Sequence, residues 1–209
     1  SDGSIEPETE FRDLEKKIYC SKFSIGEYDE EIPSDLTAEQ ILIRSGNIGS
    51  IRIAQKVGLD NFKNFLNDLG LLNTLDFDIE EIGTPLQFKW GKCKLATSAY
   101  GHGITTTPLQ LAKGYSIISN GGYNIKPTLI FNENKRNIKY QKIISEDVSK
   151  KVNLALRKIV INKEGTANFA NIEGYEIAGK TGTAQKSVAG TYSRKKINTF
   201  ASIFPASDP

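Results

Sequence analysis

Ala178-Gly179-Lys180-Thr181-Gly182-Thr183-Ala184-Gln185 is the stretch whose reading decides this chain. It follows Tyr175-Glu176-Ile177 and leads toward a turn at Gly190, the pattern of a strand that folds back. Glycine inside a strand weakens it and marks a place where another backbone or a ligand comes close. Lys180 adds a cation beside that glycine, and Thr181 and Thr183 add two hydroxyl donors, a set suited to cradling a carboxylate. A bare Lys-Thr-Gly is far more often an ordinary hairpin, because short motifs recur by chance. Its company in the chain decides.

Ser45-Gly46-Asn47-Ile48-Gly49-Ser50 lies upstream, at a junction between two helices. Thr37-Ala38-Glu39-Gln40 is a capping box that predicts a helix over 38–44. Ile48, Ile51, Ala54 and Val57 then recur at helical spacing up to Gly58, predicting a helix over 48–57. Ser45 and Asn47 fall on the connecting turn and can both face a cleft, although cap chemistry alone also favours these residue types.

A further segment runs Ala99-Tyr100-Gly101-His102-Gly103-Ile104-Thr105-Thr106-Thr107-Pro108-Leu109-Gln110-Leu111-Ala112. Thr107 as N-cap, Pro108 at the first helical position and Gln110 as the box partner predict a helix over 108–119, ended by Asn120-Gly121-Gly122.

Ser45-x-Asn47, the Gly101-x-Gly103 segment with its Thr-Pro-Leu-Gln-Leu-Ala continuation, Gly165-Thr166-Ala167, and Gly179-Lys180-Thr181-Gly182-Thr183-Ala184-Gln185 occur in this order. Together they resemble class B penicillin-binding proteins, the D,D-transpeptidases that cross-link peptidoglycan. The resemblance runs from about Leu36 to Pro209 and is looser before Leu36. It implies an α+β chain with the penicillin-binding/serine β-lactamase-like transpeptidase fold, here partial: a helical lobe, an incomplete antiparallel sheet, and the active cleft between them. It also implies acyl transfer between peptidoglycan stem peptides with release of D-Ala, and β-lactams as ligands. Catalytic roles fall to Ser45 near the leaving nitrogen, Asn47 on the substrate amide or the catalytic lysine, and Lys180. Thr181, Gly182 and Thr183 bind substrate, the Thr183 backbone N–H being one of two oxyanion donors, each worth roughly 2.7–4 kcal/mol where such donors have been removed. Gly182 lets the stem peptide lie along the strand as an added strand. No cofactor and no metal are implied. Gly46 departs from the commoner serine at its position, and His102 reads as a structural hydrogen-bonding group rather than a base.

The family's nucleophile is the serine of a Ser-x-x-Lys upstream of Ser-x-Asn, activated by that lysine. The chain's only Ser-x-x-Lys is Ser193-Arg194-Lys195-Lys196, downstream of Lys180 and suited to a solvated basic turn. The sequence has no Met, opens on Ser1-Asp2-Gly3-Ser4 and stops after a strand-like 197–204. The expectation is therefore an internal fragment, inactive alone, of a serine-type transpeptidase whose membrane anchor lies upstream. Its location would be the periplasmic face of the bacterial inner membrane, with wall-synthesis or divisome proteins as partners and a septal role favoured over elongation. A serine β-lactamase or β-lactam sensor, and a non-catalytic scaffold module of the same fold, are the alternatives.

Composition agrees with one domain or most of one. The apolar fraction is 38% and mean hydropathy −0.36, and no apolar run is long enough to span a membrane. Residues 1–39 hold 12 acidic and 4 basic side chains, residues 40–209 hold 13 and 23. Lys135-Arg136-Asn137-Ile138-Lys139 and Arg194-Lys195-Lys196 are the basic patches, and no nucleic-acid motif accompanies them, so nucleic acid is not expected as a partner. Cys20 and Cys93 can be a disulfide or two packed thiols, and with one His and two distant Cys a structural zinc site is not expected.

The whole chain, 1–209, reads as part of one transpeptidase domain: an acidic, irregular opening at 1–35, a mainly helical lobe at 36–122, and a helix and sheet hairpin at 123–209. Within these, a short helix is predicted near Phe11–Lys17, further helices over 60–69 and 146–161, and an irregular connection from Leu71 to Lys94. Strands are predicted over 128–131, 138–143, 175–186 and 197–204. The last two form a hairpin with exposed edges, which are templates for pairing, so an artefactual dimer of the fragment is expected.

Overall fold

Local cap chemistry starts the helices that carry the cleft. The Gln40 N–H donates to Thr37 Oγ1 at 3.2 Å while the Thr37 N–H donates to Gln40 Oε1 at 2.8 Å, opening α1 (Ala38–Arg44). Helix α2 (Asn47–Val57) follows across Ser45 and Gly46, and α3 (Leu59–Asp68) follows Gly58. Thr107 and Gln110 repeat the box at α5 (Pro108–Ser119), with Pro108 leading, and Ser145 caps α6 (Glu146–Ile161). All five lie within one residue of the ranges expected from sequence. The computed structural model describes residue 3 and residues 5–79, 82–91, 93–131, 139–188 and 191–209.

The strands pair antiparallel in twos. β1 (Glu10–Phe11) pairs with β4 (Leu36–Thr37), and β2 (Lys17–Cys20) forms a hairpin with β3 (Phe23–Gly26). β5 (Ala178–Val188) pairs with β6 (Thr191–Ile203), placing Lys180 opposite Ala201 and Gly182 opposite Thr199, with an irregularity between Gln185 and Ser187.

Burial holds the turn between α1 and α2 from beneath. Ile43 of α1 packs with Leu156, Ile159 and Val160 of α6 and with Ala178 and Ile203 of the long hairpin. Ile41 of α1 turns instead to Leu14, Ile32 and Leu36, while Ile48 and Ile51 of α2 close on Ile25 of β3 and Ala96. Each of the Ile, Leu and Val side chains stabilises by about 1.5–3 kcal/mol when fully buried. Gln110, 1% exposed, donates from Nε2 to Gly70 O at 3.2 Å and Asn73 O at 2.7 Å, tying the connection after α3 to the start of α5.

Several expectations are corrected. No helix forms over 11–17: Asp13 takes φ 53°, the Leu14 N–H bonds Ser34 O at 2.8 Å, and pairing with β4 and the β2–β3 hairpin replaces helical bonding. Strand pairing at 10–11, 17–20 and 23–26 thus replaces the irregular structure expected over 1–35, of which residues 1, 2 and 4 lie outside the described residues. Residues 128–131 form no strand, with bends at 129 and 130. Within 138–143 the described residues make a single bridge, Tyr123 to Lys142, while 138 and most of the 135–139 basic patch lie outside the described residues. A short helix α4 (Lys94–Ala99), not anticipated, follows the connection. Cys20 and Cys93 are disulfide-bonded, joining β2 to the start of α4. Ser193–Lys196 falls inside β6 instead of on a turn, and Gly190 lies outside the described residues. Among the described residues no helix is long and apolar enough to cross a membrane, and no group of three or more His, Cys, Asp or Glu could hold a metal.

Candidate active site

Ser45 ends α1 in the left-handed conformation, φ 59° and ψ 40°. Its N–H bonds Leu42 O at 3.2 Å and the Gly46 N–H bonds Ile41 O at 2.9 Å, closing the last carbonyls of the helix. A serine in this region costs about 1–3 kcal/mol and persists only where the surroundings over-determine it. Gly46 follows in a tight place, since a Cβ there would stand 3.0 Å from Ile32 Cδ1.

Asn47 is the first residue of α2, whose N-cap Gly46 has no side chain to offer. Glu27 supplies the cap from the end of the β2–β3 hairpin. Its Oε2 accepts from the Asn47 N–H at 2.7 Å and its Oε1 from the Ile48 N–H at 2.8 Å. The Asn47 side chain donates through Nδ2 to Gly26 O at 2.9 Å, so part of its amide is committed to the hairpin. On the other side of Ser45, the Arg44 guanidinium bonds Asp29 at 2.5 Å and Glu164 at 3.1 Å. The hydrogen bond from Arg44 holds the Asp29 carboxyl below the usual carboxylate range.

Lys180 comes from β5, on the opposite wall. Its ammonium donates to Ser45 Oγ at 2.7 Å and to Thr181 O at 3.0 Å, both neutral oxygens. Burial without a carboxylate partner pushes Lys180 down to about 8. Thr181 Oγ1 donates to Thr166 Oγ1 at 2.8 Å, and the Thr166 N–H reaches Ile43 O at 3.4 Å. Thr166 thereby bridges β5 and α1. Its signal in the sequence was the Gly165-Thr166-Ala167 triplet, quoted as part of the ordered pattern but assigned no role.

Gly182 continues along β5, where a Cβ would stand 2.6 Å from Thr199 Oγ1 of the paired strand. Thr183, opposite Asn198, is exposed. His102 lies in the turn after α4 with its ring 4.9 Å from that of Tyr100, and burial pushes its imidazole down. The fold thus brings Ser45, Lys180, Thr181 and Thr166 into one bonded set, with Asn47 beside it. A serine hydroxyl held by a cation, next to further hydroxyls on a strand, is suited to binding an anionic peptide end and handing on a proton.

Residues 1–209 match the penicillin binding protein transpeptidase domain. The chain belongs to this family. Stage V sporulation protein D of Bacillus subtilis (strain 168) is 32% identical to this transpeptidase-domain chain over 184 residues, covering 81% of it and 28% of the relative. The peptidoglycan D,D-transpeptidase FtsI of Buchnera aphidicola subsp. Baizongia pistaciae is 32% identical over 229 residues, covering 99% and 39%. The apo transpeptidase domain of Burkholderia pseudomallei penicillin-binding protein 3 superposes with a TM-score of 0.89 at 23% identity, over 98% of this chain and 62% of that one. Penicillin-binding protein 3 of Mycobacterium tuberculosis, complexed with aztreonam, gives 0.87 at 24% identity over 99% and 50%. These likenesses establish the transpeptidase fold, present here in part. The chain spans 28% and 39% of the length of these two curated relatives.

Proposed function

We propose that the complete protein is a serine-type D,D-transpeptidase that cross-links peptidoglycan, and that this chain forms one side of its active cleft. The observation that carries the reading is the 2.7 Å bond from Lys180 Nζ to Ser45 Oγ, which joins two motifs of the family's ordered pattern in space. In the reaction, a serine outside this chain attacks the carbonyl of the penultimate D-Ala of a stem peptide. The C–N bond to the terminal D-Ala breaks, D-Ala leaves as an amine, and the acyl group passes to an amine of a second stem, freeing the serine. Ser45 relays a proton to the leaving nitrogen, biased by Lys180. Asn47 uses the amide capacity left beside its bond to Gly26 to hold the substrate amide or the catalytic lysine.

Lys180 draws the terminal carboxylate, Thr181 and Thr183 hydrogen-bond it, and the Thr183 N–H contributes to the oxyanion hole. A stem peptide lies along β5 at Gly182. This chain alone does not turn over, because it carries no Ser-x-x-Lys upstream of Ser45. β-Lactams, which present an anionic group and a strained amide to the same groups, acylate the complete protein; the aztreonam complex of the Mycobacterium tuberculosis relative supports binding of this class. The protein works at the periplasmic face of the inner membrane, and the Cys20–Cys93 disulfide supports the oxidising compartment this requires. The FtsI relatives favour a septal role with divisome partners.

The test is covalent labelling with a fluorescent penicillin. The full-length protein is expected to form a lasting adduct and the isolated chain none. Rapid turnover of a chromogenic cephalosporin by the full-length protein would replace the reading with a β-lactamase, and absence of any adduct with a scaffold. An adduct on Ser193 of the isolated chain would move the mechanism to Ser193 and Lys196.

A further inference from the structure

The turn that presents Ser45 has no cap of its own. With glycine at the N-cap of α2, the first amides of that helix have no local side-chain acceptor. Glu27, about twenty residues upstream, meets two of them with its two carboxylate oxygens, at 2.7 Å to Asn47 N and 2.8 Å to Ile48 N. A carboxylate at a helix N-terminus is favoured both by the helix dipole and by charge-assisted bonding. The same loop grips the neighbouring residues as well. Gly26 O accepts from the Asn47 side chain at 2.9 Å, and Asp29 holds Arg44, the last residue of α1, at 2.5 Å. Ser45 is therefore suspended between two residues that are both fastened to residues 26–29. That loop is itself anchored, since Ile25 packs with Ile48 and Ile51 and Cys20 is bonded to Cys93.

We infer that Glu27 is a positioning residue of the acyl-transfer site, fixing the start of α2 so that Ser45 Oγ and the Asn47 amide stay in register with Lys180. The inference rests on the functional reading above. Without the carboxylate, the first turn of α2 loses its acceptor and the left-handed Ser45 loses one of the constraints that hold it. The distance to Lys180 then relaxes, and small displacements of positioned groups are costly in rate.

The experiment compares Glu27→Ala and Glu27→Gln in the full-length protein by the concentration dependence of acylation with a fluorescent penicillin, which separates the binding constant from the acylation step. Glu27→Ala is expected to slow the acylation step about 10-fold, less than the ~100-fold that a 1 Å misplacement can cause. Binding should change little. Glu27→Gln keeps one acceptor oxygen and is expected to fall between Ala and wild type. A Glu27→Gln protein acylated at the wild-type rate overturns the inference, even if Glu27→Ala fails to fold.

Should the wild-type protein not be acylated at all, the functional reading fails instead, and the positioning claim is decided by NMR of the same protein. In the full-length protein, the 15N-resolved Lys180 ammonium signal, protected by its bond to Ser45, is expected to weaken in Glu27→Gln. An unchanged signal overturns it.

Discussion

Lys180 Nζ reaches Ser45 Oγ at 2.7 Å although 135 residues of chain separate them. The bond closes the cleft between the helical wall and the strand wall, and it puts a cation in a place where burial opposes charge. Two consequences are measurable, one on rate and one on stability.

Acylation of the full-length protein is expected to fall as pH rises through about 8, the value to which burial pushes Lys180, because only the protonated amine attracts a carboxylate. Stability follows the opposite sign. Between about 8 and the ordinary value of 10.5 the folded chain binds fewer protons at Lys180 than the unfolded chain, so stability rises with pH. Below about 8 both states are protonated and the burial penalty is present in full. Lys180→Gln is therefore expected to melt above the wild type at neutral pH, with the gap closing as pH approaches 10.5. A gap independent of pH would refute the burial argument.

The disulfide closes a loop of 73 residues, for which chain entropy gives roughly 4 kcal/mol of stabilisation. Cys20→Ser/Cys93→Ser should lower the denaturant midpoint by a corresponding amount, and alkylation of the native chain should find no free thiol. Two reactive thiols in protein refolded under air would contradict the pairing.

Gly182→Ala sets a methyl group against Thr199 Oγ1. The cost is expected at about 1–3 kcal/mol, the range for overpacking. Thr199→Ala removes the obstructing oxygen, so the double variant should recover most of that loss. Additive losses in a double-mutant cycle would show that the penalty comes from elsewhere along β5.

The hairpin of β5 and β6 is a two-stranded sheet among the described residues, and Ile197 and Phe200 on it are exposed. Light scattering of the isolated chain over a concentration series should show dimerisation through a strand edge. Ile197→Lys should suppress it. A monomer at every concentration would exclude edge pairing.

What the sequence determined by itself was local. The boxes Thr37/Gln40 and Thr107/Gln110 fix helix starts through bonds three residues long, so they are written in adjacent letters. The order of Ser45-x-Asn47 and Lys180-Thr-Gly identified the family for the same reason, since motif chemistry needs neighbouring residues. Tertiary structure decided everything that depends on distant partners. The short helix expected over Phe11–Lys17 does not form, and Leu14 is instead buried beside Ile32, Leu36 and Ile41. Glu27 at the head of α2 is an ordinary residue in the sequence, and neither the partner of Thr166 in Thr181 nor the pairing of Cys20 with Cys93 is decided there. They acquire roles because burial of Ile43, Ile48 and Ile51 folds three separate stretches onto one turn, and no local pattern records which stretches those are.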